Sequence, residues 1–133
     1  MNKVIIKTSG VVIRDKKLLL VSGNGQPFYW TPGGKLKTRE TALAALKREF
    51  YEELRVGITS SKHYLDYLSL EEEDGRPRQV HTYLVEFEGK PKCAQEISAL
   101  AWTSQDDIMS GKITLQMGIK NHLLPKLIED NLV

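Results

Sequence analysis

The chain has 133 residues, of which 41% are hydrophobic and 27% charged, an ordinary globular composition, and we expect one domain over residues 1–133. A formal net charge of +2 is too small to argue by itself for a nucleic acid or a membrane surface as partner, and we expect neither. The single cysteine, Cys93, excludes an intrachain disulfide framework and fits a reducing compartment.

The chain also lacks the patterns of targeting and membrane segments. Its first residues do not include the long apolar region of a signal peptide. No segment approaches the ~18 consecutive apolar residues that a spanning helix requires. We therefore expect a cytoplasmic protein, either a monomer or a homodimer.

The first third of the chain predicts β-structure. Residues 4–13 are rich in β-branched side chains around Ser9 and Gly10 and predict a strand or a bulged strand. Residues 17–21 predict its return after a turn at Asp15 and Lys16. A polar loop over residues 22–27 leads into three consecutive aromatic residues: Phe28, Tyr29 and Trp30. These rings fit a core strand, although they could also stack on a base.

The next segment predicts an amphipathic helix. Thr38 is expected as its N-cap, with Glu40 in the first turn, where the helix dipole favours an anion. Apolar side chains repeat at helical spacing and form one stripe: Leu43, Leu46, Phe50 and Leu54. Glu49 and Glu53 fall beside this stripe, at the edge of the buried face.

Three carboxylates crowd one patch of this helix, because Glu49, Glu52 and Glu53 stand at positions i, i+3 and i+4. They could simply form the solvated side of the helix. Like charges at this spacing, however, repel each other by a few tenths of a kcal/mol, and a divalent cation removes that repulsion. Hard cations such as Mg²⁺ take oxygen ligands and keep positions for water and substrate phosphates.

Residues around the helix could support such a site. Arg48 can pair with Glu52 and with Glu40, which would hold the carboxylates in place. Before the helix, Gly33 and Gly34 allow a tight turn and a close approach of the backbone to a ligand.

The second half of the chain predicts further strands and short helices. Strands are expected at residues 63–70, 80–87 and 100–103, with a charged hairpin turn at 71–78. Ser104 is expected to cap a brief helix through Ile108, and residues 115–132 predict a helix interrupted or kinked at Pro125. This order of elements indicates an α/β layered domain with a mixed sheet.

At this point the sequence resembles the Nudix hydrolase family, whose signature is G-x5-E-x7-R-E-U-x-E-E-x-G-U, with U aliphatic or aromatic. The positions that match are Gly34, Glu40, Arg48, Glu49, Phe50, Glu52, Glu53 and Val56, preceded by a similar Trp30-x-Pro32-Gly33-Gly34. Arg55 stands where the family usually has glycine, so we expect the helix to end later, toward Gly57. The resemblance implies an α/β/α sandwich with a mixed β-sheet.

The resemblance also implies roles for individual residues. Glu49 and Glu53 are the expected principal metal ligands, the Gly34 carbonyl a further ligand, and Glu52 either a ligand or the general base. Glu96 is expected either to bind metal, to act as base, or to be a solvated loop residue, whereas Arg48 and Glu40 would orient the carboxylates. The expected cofactor is Mg²⁺, for which Mn²⁺ can substitute. Basic residues that could reach a substrate phosphate are Lys35, Arg76 and Arg78.

The expected reaction is hydrolysis of a nucleoside diphosphate linked to a moiety X, and most simply of a (deoxy)nucleoside triphosphate to the monophosphate and pyrophosphate. Family branches that act on ADP-ribose or dinucleoside polyphosphates carry a proline or tyrosine ~16 to 18 residues beyond the motif, where this chain has acidic residues. Alternatives are an RNA 5′ pyrophosphohydrolase, a dinucleoside polyphosphate or ADP-sugar hydrolase, and a nucleotide-binding regulator without catalysis. The expected partner is a small-molecule nucleotide substrate.

Overall fold

The computed structural model describes residues 3–70, 72 and 74–133. The strands are β1 (Ile5–Val11), β2 (Ile13–Arg14), β3 (Lys17–Gly23), β4 (Gly33–Lys35), β5 (Gly57–Ser69), β6 (Arg78–Glu88) and β7 (Ile97–Thr103). The helices are α1 (Ala42–Leu54), α2 (Gln105–Met109), a π-helical segment (Ile119–Leu123) and α3 (Leu124–Glu129). No helix among the described residues is long and apolar enough to cross a membrane.

The strands form two sheets. One is mixed, with the order β4-β1-β6-β5, in which β1 and β6 run parallel and the other pairs antiparallel. The other is antiparallel, with the order β2-β3-β7. The predicted α/β class with a mixed sheet is therefore confirmed, although the strands divide between two sheets.

Two hydrophobic cores lie on opposite faces of the strands. Because side chains alternate along β3, Leu18 and Leu20 enter one core and Leu19 and Val21 enter the other. The first core is closed by the C-terminal helical segments, with Leu123 and Leu127 fully buried. The second is closed by α1 through three buried residues of the predicted apolar stripe: Leu46, Phe50 and Leu54. Helices thus cover both faces.

The expected N-terminus of α1 was wrong. Thr41, not Thr38, is the N-cap, and its side chain accepts a hydrogen bond from the backbone N–H of Ala44 at 3.1 Å. Glu40 therefore precedes the helix rather than lying in its first turn, and it accepts from the backbone N–H of Lys37 at 2.9 Å. Arg39 adopts φ 66° in this segment, a turn that the helical periodicity did not reveal.

The expected C-terminus of α1 was also wrong. The helix ends at Leu54 instead of continuing toward Gly57, because Arg55 itself adopts the left-handed conformation with φ 58° and ψ 37°. Its N–H donates to the Tyr51 carbonyl at 3.0 Å, and its guanidinium carbon lies 5.1 Å from the centre of the Tyr51 ring. Arg55 thus adopts the left-handed C-cap conformation that glycine usually supplies at this position.

The C-terminal helical region starts later than expected, since Leu115 pairs with Tyr29 in a β-bridge. The expected interruption lies in the π-helical segment that precedes Pro125, where the N–H of Leu124 donates to the Ile119 carbonyl. Pro125 itself lies in the first turn of α3, where its missing N–H would have no partner within the helix, so it follows the π-helical segment without breaking α3.

Candidate active site

Three carboxylates converge beside α1, next to its buried apolar stripe. Glu49 and Glu53 project from successive turns of α1, and Glu96 comes from the segment just before β7. One carboxylate oxygen from each residue lies within 4.8 Å of the others. The structure thus brings two of the expected ligands together with the residue whose role was left open.

Gly33 and Gly34, expected in a tight turn, instead begin strand β4 and pack directly against these carboxylates. The backbone N–H of Gly33 donates to Glu53 Oε1 at 3.0 Å. A Cβ added to Gly34 would lie 2.6 Å from Glu49 Oε1, so only glycine lets this carboxylate sit against the β4 backbone. Gly33 has φ 147°, and a Cβ there would collide with the Thr8 carbonyl oxygen.

Arg48 organises the outer side of the cluster. Its Nε and Nη2 atoms donate to the two oxygens of Glu40 at 2.8 and 2.9 Å. Its Nη1 donates to Glu49 Oε1 at 2.8 Å and to Glu52 Oε2 at 3.3 Å, and Nη2 also reaches the Lys35 carbonyl at 3.1 Å. All three guanidinium nitrogens donate hydrogen bonds within the protein, so Arg48 is positioned to fix Glu49 rather than to contact a substrate.

Burial and charge perturb the ionisation of these groups. Glu53 is only 2% exposed, and desolvation raises its pKa to about 8, although the Gly33 N–H partly opposes the shift. Desolvation also raises the pKa of Glu49, opposed by Arg48. The pKa of Glu40 is lowered to about 2, first by the Arg48 hydrogen bonds and then by the Lys37 N–H. A cation is the natural partner for two carboxylates whose ionisation burial disfavours.

The donor set suits a hard divalent cation. All three side chains of the cluster offer carboxylate oxygens, the ligand type that Mg²⁺ and Mn²⁺ take. The bare backbone at Gly34 leaves space beside Glu49 that any side chain would fill. Glu49, Glu53 and Glu96 therefore fit the metal that the sequence leads us to expect.

A cavity of about 230 Å³ lies beside Gly33 at the start of β4. Phe28 and Trp30 form part of its wall, with ring centres 5.9 Å apart in an edge-to-face arrangement. Charged groups from separate strands and loops also line it: Lys7, Arg78 and Glu72. Since Gly33 both lines the cavity and bonds Glu53, a ligand in the cavity would adjoin the carboxylates.

The other expected site residues are placed unequally. Glu52 is outside the group of three, and its side chain, 39% exposed, meets Arg48. Arg78 lines the cavity, where Asp74 holds its guanidinium at 2.9 Å. Arg76 is exposed and also paired with Asp74, and Lys35 is not part of the cavity wall. Glu71 and Glu73 of the acidic turn lie outside the described residues.

Sequence reasoning missed several residues of the cavity wall. Lys7 is a lone lysine in a β-branched strand, and burial lowers its pKa. Gln116 follows the residue bridged to Tyr29, and its Nε2 donates to Glu72 Oε1 at 2.9 Å. A charged residue within a predicted strand was the available signal for Lys7, whereas Gln116 had none.

Comparison with known proteins gives a consistent result. A profile of the NUDIX domain matches residues 5–127. Among solved structures, the chain is similar to the MutT protein from Methanosarcina mazei Go1, with a TM-score of 0.81 and 19% identity over 98% of this chain and 96% of that one. It is also similar to the MutT NUDIX hydrolase from Burkholderia pseudomallei, with a TM-score of 0.79 and 22% identity over 90% and 95%.

The solution structure of the E. coli ORF135 protein is similar at 27% identity, with a TM-score of 0.75 over 95% of this chain and 91% of that one. No curated protein matches the chain. The two MutT structures, at less than 25% identity, speak for the fold, and the profile match covers most of the sequence.

Proposed function

The chain belongs to the NUDIX family and is a pyrophosphohydrolase of nucleoside diphosphate-linked compounds; from this premise we propose that it converts a (deoxy)nucleoside triphosphate to the monophosphate and pyrophosphate with Mg²⁺. The observation that carries the proposal is the convergence of Glu49, Glu53 and Glu96 beside a cavity with aromatic and charged walls. Mn²⁺ would substitute for Mg²⁺, because both take oxygen ligands.

In this proposal Glu49 and Glu53 hold the metal, with the Gly34 carbonyl as a further ligand, and the charge of Glu96 beside them favours the bound cation. When bound, the metal neutralises the diphosphate oxygens and lowers the pKa of water. Glu53 is held by the Gly33 N–H and Glu49 by Arg48, so both present their oxygens without a search through rotamers. Glu40 and Glu52 act through Arg48, because each forms an ion pair with its guanidinium.

Glu96 is the best candidate for the general base. It is exposed, unlike Glu53, and it belongs to the same cluster. Arg48 neutralises Glu49, and the Gly33 N–H occupies one oxygen of Glu53. Glu96 can therefore take the proton of an attacking water at the solvent side of the cluster.

The cavity would hold the nucleoside of the substrate. Phe28 and Trp30 offer ring edges and faces for a base, and Lys7 and Arg78 supply positive charge near Gly33 of β4. A cavity of about 230 Å³ suits one small molecule. The exposed free Cys93 fits action in the reducing cytoplasm.

The test is turnover of a nucleotide panel with Mg²⁺, with the products identified by chromatography. Wild type should release pyrophosphate from at least one triphosphate, and Glu53→Gln should lose most of the rate. Glu88→Gln is the matched control, because Glu88 is an exposed glutamate at the end of β6 and should leave the rate unchanged. Full activity of Glu53→Gln would remove the metal assignment. Tight nucleotide binding without any product would favour the non-catalytic regulator instead.

A further inference from the structure

Glu96 reaches the carboxylate cluster from a segment distant in sequence from α1, and backbone hydrogen bonds fix its approach. The N–H of Lys92 donates to the Leu54 carbonyl at 2.9 Å, and the N–H of Ala94 donates to the Glu53 carbonyl at 3.0 Å. The segment before Glu96 is therefore tied to the last turn of α1, which also carries Glu53.

Gly23, in β3, also restricts the position of the Glu96 backbone. It is the last residue of β3, it pairs with Ile97, and the ladder shifts register between Ser22 and Gly23. A Cβ built on Gly23 would collide with the carbonyl oxygen of Glu96 and would lie 2.8 Å from its carbonyl carbon. These are backbone atoms, so no change of rotamer can relieve the collision.

Glu96 has little freedom to absorb such a collision elsewhere. The preceding residue, Gln95, already adopts a left-handed conformation with φ 55°. The following residue, Ile97, is 4% exposed and packs in the core that α1 closes. A side chain at position 23 would consequently move the Glu96 backbone rather than a flexible neighbour.

We propose that Gly23 is a positioning residue that acts through Glu96: its missing side chain lets Glu96 close on Glu49 and Glu53. This inference rests on the proposed function, in which Glu96 serves the metal site. A misplacement of about 1 Å in a catalytic group can cost about 100-fold in rate. Gly23 thereby controls catalysis although it contacts neither metal nor substrate.

A double-mutant cycle tests the inference. We expect Gly23→Ala to lower kcat/KM by about 10- to 100-fold and to weaken Mn²⁺ binding, measured without substrate by the paramagnetic resonance of free Mn²⁺. Glu96→Gln should show losses of similar size. The double variant should be no worse than Glu96→Gln alone, because the proposal places the whole effect of Gly23 on Glu96.

Gly57→Ala is the matched control. A Cβ at Gly57 meets nothing within 4 Å, so both quantities should equal those of the wild type. If Gly23→Ala fails to fold, as judged by circular dichroism, Ala94→Pro replaces it. This substitution deletes the backbone N–H that donates to the Glu53 carbonyl and that holds the segment before Glu96 against α1. Ala94→Pro should show the same lack of additivity with Glu96→Gln.

The outcomes separate this inference from the proposed function. Losses that add in the double variant, or an unimpaired Gly23→Ala, would overturn the positioning role while leaving Glu96 in the site. If Glu96→Gln changes neither turnover nor Mn²⁺ binding, the role of Glu96 in the proposed function fails, and the inference about Gly23 fails with it.

Discussion

Replacing Glu53 by glutamine should change how the stability of the metal-free protein depends on pH. Glu53 is buried, and its pKa rises from 4.5 to about 8 on folding. Between these values the folded chain binds a proton that the unfolded chain releases, so the free energy of unfolding falls as the pH rises. Each pH unit in this window corresponds to about 1.4 kcal/mol, or about 2.7 kcal/mol between about pH 5.5 and about pH 7.5.

Glu53→Gln removes this dependence, because an amide does not ionise and its oxygen can still accept from the Gly33 N–H. In EDTA, urea denaturation of the variant should show a slope with pH about 1.4 kcal/mol per unit shallower than that of the wild type. Glu49 contributes a slope of the same sign in both proteins, since its pKa is also raised. The difference between the two proteins therefore reports mainly Glu53, together with its repulsion from Glu49.

Near neutral pH in EDTA, Glu53→Gln should be the more stable protein, and adding Mg²⁺ should narrow this difference. A ligand at 100 times its Kd stabilises the folded state by about 2.7 kcal/mol, and the wild type should gain this more fully than Glu53→Gln. The prediction would be refuted if the free energy of unfolding of the two proteins depended on pH in the same way in EDTA. Equal stabilisation of both proteins by Mg²⁺ would also refute it, because Glu53 would then not bind the cation.

Three further substitutions test the surrounding framework. Arg48→Lys keeps the charge but cannot bridge Glu40 and Glu49 together, so activity should fall about 10- to 100-fold. The control Lys47→Arg, on the same helix, should leave activity unchanged. Full activity of Arg48→Lys would exclude the orienting role. Gly34→Ala places a Cβ against Glu49 and should weaken Mn²⁺ binding with a smaller effect on urea stability; unchanged binding would show that β4 can yield. Arg55→Gly should be about 0.5 to 1 kcal/mol more stable to urea than Arg55→Ala, because alanine keeps the left-handed strain, and equal stabilities would contradict that account.

The α1 region shows where sequence reasoning succeeds and where it stops. The stripe of Leu46, Phe50 and Leu54 was predictable, because a helix that covers a core must repeat its apolar residues at helical spacing. The ends of the helix were not. Thr41 and Arg55 acquire their capping roles from the backbone conformations of single residues, to which periodicity is insensitive.

The strands show a similar division. Most of them followed from β-branched and alternating residues, but β4 was missed, because Gly33 and Gly34 were expected in a tight turn. The strands β5 and β7 also extend further than expected, to Gly57 and Ile97 at their starts. The division into two sheets could not be read from the chain, since it depends on which strands pair. The parallel pairing of β1 with β6, for example, sets Lys7 beside Val80 in the cavity wall.

The sequence by itself determined the family resemblance and the pairing of Glu49 with Glu53, because residues four apart on a helix are neighbours wherever the helix packs. Tertiary structure alone decided that Glu96 joins them and that a cavity opens beside Gly33 at the start of β4. Those relations join segments far apart in the chain. Their geometry follows from strand register and from close backbone contacts such as that of Gly23 with Glu96, and local patterns carry no record of either.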